Sequence, residues 1–108
     1  MTKIKFYKKR DLFIGFEVSG HTSKEEFGKD ILCSAISTAT QMVVVGIKDE
    51  LKLRPFIKIS DGYLEMKVRE KDIENVQVQL LIKTCFDSIK QIIKNEKKYV
   101  DLEVKDDI

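Results

Sequence analysis

Apolar positions near the start of the chain recur every second residue. Ile4 and Phe6 share one face of residues 3–7, and Leu12, Ile14, Phe16 and Val18 share one face of residues 12–18. A period of two predicts β-strands with one buried side. The polar run Lys8-Lys9-Arg10-Asp11 between them predicts the turn of an antiparallel hairpin. Gly15, inside the second strand, predicts a bulge or a close backbone approach. The period then changes. Ile31, Leu32, Ala35, Ile36, Ala39, Val43 and Ile47 recur at spacings of three and four. This predicts a helix with Asp30 as its N-cap, ending near Leu53 ahead of the single proline, Pro55. Phe56, Ile57 and Ile59 read as a short strand, Asp61-Gly62 as a hairpin turn, and Tyr63, Leu64, Met66 and Val68 as the return strand. A second helix is expected from Asp72 to about Glu96, carrying Ile73, Val76, Leu80, Leu81, Cys85, Phe86, Ile89, Ile92 and Ile93. A last strand follows with Tyr99, Val100, Leu102 and Val104. The order β-β-α-β-β-α-β, with helices laid on one face of a mainly antiparallel sheet, predicts an α+β two-layer domain.

Between the second strand and the first helix lie residues 19–29, Ser-Gly-His-Thr-Ser-Lys-Glu-Glu-Phe-Gly-Lys. The segment is polar and without apolar period, so it reads as a loop, and a loop of that length in a small domain usually has a function.

Composition narrows the field. At 108 residues the chain makes one domain, 1–108, and 43% hydrophobic residues supply a core. Twenty Lys+Arg against eighteen Asp+Glu leave a net charge of +2, too little for the electrostatic footprint of a nucleic-acid binder. No run of apolar residues approaches the roughly 20 needed to cross a bilayer, and Met1–Phe6 alternates instead of forming a signal-peptide core. The expected compartment is therefore the cytoplasm, where Cys33 and Cys85 stay reduced. One His (His21) and two Cys cannot complete a four-ligand zinc site of these residue types. No metal and no cofactor is expected.

The same scarcity leaves few candidates for chemistry. His21 stands at the start of the loop and Cys33 just beyond its end. With Asp30 as cap, Cys33 would occupy the third helical position, where unpaired amides and the helix dipole favour a thiolate. Those amides could also hold an oxyanion. Gly20 would let the chain fold back so that His21 acts as base and then as acid. Ser37, one turn after Cys33, could hydrogen-bond the sulfur or the imidazole. Each residue also has a plainer reading. A cysteine at a helix start is most often a small core residue, a histidine on a polar loop is usually solvated, and a helical serine more often bonds back to a carbonyl. Phe13 and Phe27 could meet a ligand, though packing is their commoner use. Cys85 shares the apolar stripe of the second helix and reads as core.

Taken together, Phe16-Glu17-Val18-Ser19-Gly20-His21 and Gly28-Lys29-Asp30-Ile31-Leu32-Cys33-Ser34-Ala35-Ile36-Ser37 resemble the signature of the ribosomal-processing cysteine protease family Prp. The Asp61-Gly62-Tyr63-Leu64 hairpin, the second helix and the Tyr99-Val100 strand fit the same family. Thr22 and Ser34 stand where the family usually has Ala. The resemblance implies a homodimeric cysteine endopeptidase that trims an N-terminal extension from large-subunit ribosomal protein twenty-seven, cutting after an aromatic pair and before a small residue. It implies Cys33 as nucleophile and His21 as general base, with supporting positions at Asp30 and Ser37. It also implies a mobile cover over residues 20–28, with Gly20, Thr22 and Gly28 among them. The competing reading is a non-catalytic, ribosome-associated dimeric binding module.

Overall fold

The computed structural model describes residues 1–20 and 27–107. The element order is β1 (Thr2–Lys9), β2 (Leu12–Ser19), α1 (Phe27–Val45), β3 (Phe56–Ser60), β4 (Tyr63–Lys67), α2 (Val76–Ile92) and β5 (Val100–Asp106). The five strands form one sheet in the order β3-β4-β2-β1-β5. The β1–β5 pairing is parallel; β1–β2, β2–β4 and β3–β4 are antiparallel. The predicted order and the α+β class are those of the molecule.

Strand phase decides which side of the sheet is dry. Thr2, Ile4, Phe6, Phe16 and Met66 point to the helices and are fully buried. Four rings meet there: Phe6 lies 5.9 Å from Phe13, 5.6 Å from Phe16 and 5.1 Å from Phe86. Such offset and edge contacts add to the area these rings bury. Phe13 is therefore a packing residue. Helix α2 adds Val78, Ile82, Cys85 and Ile89 at steps of four, three and four; α1 adds Leu32, Ile36 and Val43. The opposite face of the sheet carries Lys58, Glu65, Glu17, Lys5 and Glu103 in one cross-strand row. The row mixes signs, with the Glu65 and Glu17 carboxylates side by side, so it forms no basic stripe.

The β1–β2 turn places Arg10 and Asp11 at φ 53° and 64°, the two positive values that match the right-handed twist of a tight hairpin. Arg10 and Lys9 reach the Glu70 carboxylate at 2.8 and 2.9 Å. The register shifts after Tyr7↔Gly15, so that Lys8 faces Phe13 and Ile14 is the extra residue of a bulge. Gly15 sits where the backbone of β4 comes closest: a Cβ there would lie 2.0 Å from the Met66 carbonyl oxygen. Both expectations for Gly15 hold.

The helix ends differ from the sequence reading. Helix α1 begins at Phe27, not after an Asp30 cap, so Asp30 and Gly28 both lie within it. A carboxylate suits a helix's first turn as well as its cap, so Asp30 alone could not mark the start. After Val45 the helix widens into a π-helical turn, Gly46–Glu50, and stops there, short of Leu53. Ile31–Glu50 is 20 residues long with a mean hydropathy of 1.5, long and apolar enough by length and composition to cross a bilayer. The sequence reading missed this because Ser, Thr and Gln interrupt the apolar run. In the fold, Leu32, Ile36, Val43 and Ile47 on this stretch belong to the core. Helix α2 starts later than expected, at Val76. A single 3-10 turn covers Glu70–Asp72. Asn75 is the cap, its side chain accepting from the Gln77 and Val78 amides at 2.8 and 3.1 Å.

Candidate active site

Cys33 projects from α1 toward the N-terminal end of β1. It is partly exposed, and its Sγ lies 3.4 Å from the hydroxyl of Thr2. Both residues line a cleft of about 470 Å³ between α1 and the β2–β4 side of the sheet. Val18, Ile36, Val44, Ile59, Tyr63 and Leu64 give the cleft mostly apolar walls. Among the described residues no group of three or more His, Cys, Asp and Glu is placed to hold a metal ion.

The candidates fare differently. Ser37 lines the same cleft, one turn beyond Cys33. Its Oγ accepts a hydrogen bond from Gln41 Nε2 at 2.7 Å. Gly20 is on the rim, with φ at +96° and its N–H donating to the Gly62 carbonyl at 3.0 Å. Its backbone passes so close to Met1 that a Cβ would come within 2.5 Å of the Met1 carbonyl oxygen. Only glycine combines that φ with that approach. The residue that precedes His21 is thus pinned at the edge of the cleft that holds Cys33. His21 and Thr22 themselves lie outside the described residues.

The early start of α1 changes the reading of two other positions. Cys33 falls in the second turn, so its amide belongs to the helix's own i→i−4 ladder. It is not one of the unpaired amides at the helix start that could hold an oxyanion. Gly28 belongs to the helix, not to the loop.

Cys85 is a different kind of thiol. It is buried, and its Sγ donates to the Ala39 carbonyl at 3.7 Å, tying α2 to α1. Burial pushes its pKa up to about 12, because an apolar surround disfavours the anion. It stays protonated at neutral pH, as a packing residue should.

Sequence reasoning passed over Thr2 and Thr40. Thr40 is fully buried on the cleft wall, its hydroxyl donating to the Ile36 and Ser37 carbonyls at 3.0 and 3.1 Å. Thr2 had a signal available. It continues the buried phase of Ile4 and Phe6, and a hydroxyl on the dry face of a strand needs a partner.

The sequence profile of the family described as "Cysteine protease Prp" matches residues 1–101. The chain belongs to the cysteine protease Prp family. The ribosomal processing cysteine protease Prp of Staphylococcus aureus (strain Mu50 / ATCC 700699) is 28% identical over 91 residues, covering 82% of this chain and 83% of that protein. The crystal structure of SMU.848 from Streptococcus mutans shares the fold with a TM-score of 0.88 at 22% identity, over 99% of this chain and 96% of that one. The S. aureus Prp crystallised with a covalently linked product peptide superposes with a TM-score of 0.84 at 22% identity, over 97% and 100% of the two chains. The family is one of cysteine proteases acting in ribosomal processing, and this chain is a cysteine protease of that family.

Proposed function

We propose that this Prp-family protease removes the N-terminal extension of large-subunit ribosomal protein twenty-seven in the cytoplasm, with Cys33 as nucleophile and His21 as general base. The observation that carries the reading is the cleft itself: it is lined by the partly exposed Cys33 and by Gly20, the residue that leads into His21. In this mechanism the Cys33 thiolate attacks the scissile carbonyl carbon. The C–N bond breaks, and His21 gives its proton to the leaving amine of the mature protein. The extension remains as a thioester on Cys33. His21 then takes a proton from water, the hydroxide attacks the thioester, and the extension leaves as a carboxylate while the thiolate is restored. A thiol needs less activation than a hydroxyl, so a two-residue dyad is sufficient. Val18, Ile36, Ile59 and Leu64 supply apolar surface for the aromatic pair before the cut.

The test is to mix the protein with the extended precursor from the same cell and follow the mass of the product. One discrete trimmed species is expected with the wild type and none with Cys33→Ala or His21→Ala. Equal trimming by Cys33→Ala would overturn the assignment. No trimming by the wild type would reject this substrate.

We further propose that the protease works as a homodimer. Ile31, Met42 and Val45 leave an exposed apolar strip on α1, beside a hollow lined by Thr38, Gln41, Met42 and Gly46. In sedimentation velocity, Met42→Lys is expected to shift the wild-type dimer to a monomer. A monomeric wild type would contradict the proposal.

A further inference from the structure

Thr2 is held more tightly than a residue next to the chain start needs to be. Its strand lies between two neighbours, β2 and β5. Its N–H donates to the Tyr99 carbonyl at 3.1 Å, and it pairs with Val100. Only 1% of the residue is exposed. A β-branched side chain is stiff about χ1, so its hydroxyl oxygen has a fixed place, and that place is 3.4 Å from Cys33 Sγ. While Cys33 is a thiol, either group can be the donor. Once the sulfur loses its proton it can only accept, and the threonine hydrogen rotates to meet it. A hydrogen bond that strengthens on ionisation favours the ionised form.

We propose that Thr2 is a positioning residue whose hydroxyl donates to the Cys33 thiolate, holding the sulfur at the cleft and favouring its charged state. The role rests on Cys33 being the nucleophile, and it adds to the dyad a third group, supplied by a strand 31 residues away in sequence. His21 and Thr2 divide the work: the imidazole moves protons, and the hydroxyl supports the anion left behind.

The test is the pH profile of Cys33 alkylation by iodoacetamide, read by mass on the Cys33 peptide. Four proteins are compared: wild type, Thr2→Val, Thr2→Ser and Thr2→Ala. Valine keeps the shape and removes the hydroxyl. Serine and alanine both lack the methyl and differ only in the hydroxyl, so this pair carries the comparison if the valine variant does not fold. The midpoint is expected to rise by about one pH unit in the valine and alanine variants, the scale of one hydrogen bond to a charged group. The serine variant should stay near the wild type. In peptide cleavage, kcat should fall in the valine variant with KM unchanged. Coincident midpoints for Thr2→Val and wild type, or for Thr2→Ser and Thr2→Ala, would overturn the proposal. Alkylation does not depend on which peptide is cut. A shifted midpoint with no precursor trimming supports Thr2 and rejects the substrate, whereas an unshifted midpoint with normal trimming rejects Thr2 alone.

Discussion

Gly15→Ala is the substitution for which the fold gives the sharpest expectation. The added Cβ would lie 2.0 Å from the Met66 carbonyl oxygen, 2.8 Å from Lys67 Cα and 2.9 Å from the Met66 carbonyl carbon. Ordinary contact begins near 3.4 Å, so β4 must retreat by more than an ångström, and all three obstructing atoms are backbone. Two costs follow. Overpacking of this kind typically costs about 1–3 kcal/mol. Displacing β4 also strains the Val68 N–H to Ile14 carbonyl bond, now 2.8 Å, and such a bond is worth about 1 kcal/mol net. Alanine stiffens the unfolded chain and returns about 0.4–1 kcal/mol. The net expectation is a loss of about 2–3 kcal/mol, read as a lower urea midpoint at an unchanged slope. Gly46→Ala is the control. There the nearest atom is the flexible tip of Leu81 at 3.0 Å, and alanine's helix preference of about 1 kcal/mol offsets the crowding. Its stability should stay within about 1 kcal/mol of the wild type. If Gly15→Ala changes stability by less than about 0.5 kcal/mol, the close approach of β2 and β4 is not as described.

Three further expectations follow from other parts of the molecule. Asn75→Ala removes the side chain that caps two amides of α2 and should cost about 1 kcal/mol in chemical unfolding; Asn75→Asp should retain most of it. In native protein at pH 7, iodoacetamide should modify Cys33 and leave Cys85 untouched, since burial holds the Cys85 thiol at about 12; equal labelling of both would contradict the reading of α2. Tyr7 has its phenol pushed up to about 12, first by burial and then by the hydrogen bond it donates to Glu17 at 3.0 Å. Its native form therefore holds a proton that the unfolded chain gives up near pH 10. This contribution to stability is complete below pH 10 and is lost as the pH rises toward 12. Tyr7→Phe should flatten that part of the stability profile.

Period and punctuation made most of the fold legible. Two-residue alternation located β1 and β2, and the helical phase of Cys85 assigned it to the core. Gly15 announced both its bulge and its close neighbour. The helix starts were harder. Asp30 offered a cap that α1 did not use, and Asn75 was the true cap of α2, hidden inside an apolar pattern that seemed to begin at Asp72. Either residue type is chemically able to cap, and only the surrounding packing decides which one does. At the site, Cys33 could be singled out because it follows a loop the fold does not need. The link between Thr2 and Cys33 could not be read in this way. It joins the first strand to a helix far along the chain, and it exists only because the sheet holds the start of β1 against α1, between β2 and β5.

In the proposed reaction, peptide cleavage passes through Cys33. The most direct measurement is to alkylate the native protein in steps and, at each step, determine both the modified fraction of Cys33 by mass and the remaining precursor-trimming activity. Activity is expected to fall in direct proportion to Cys33 modification, reaching zero at full modification with Cys85 intact. Trimming that persists after Cys33 is fully alkylated would overturn Cys33 as the nucleophile.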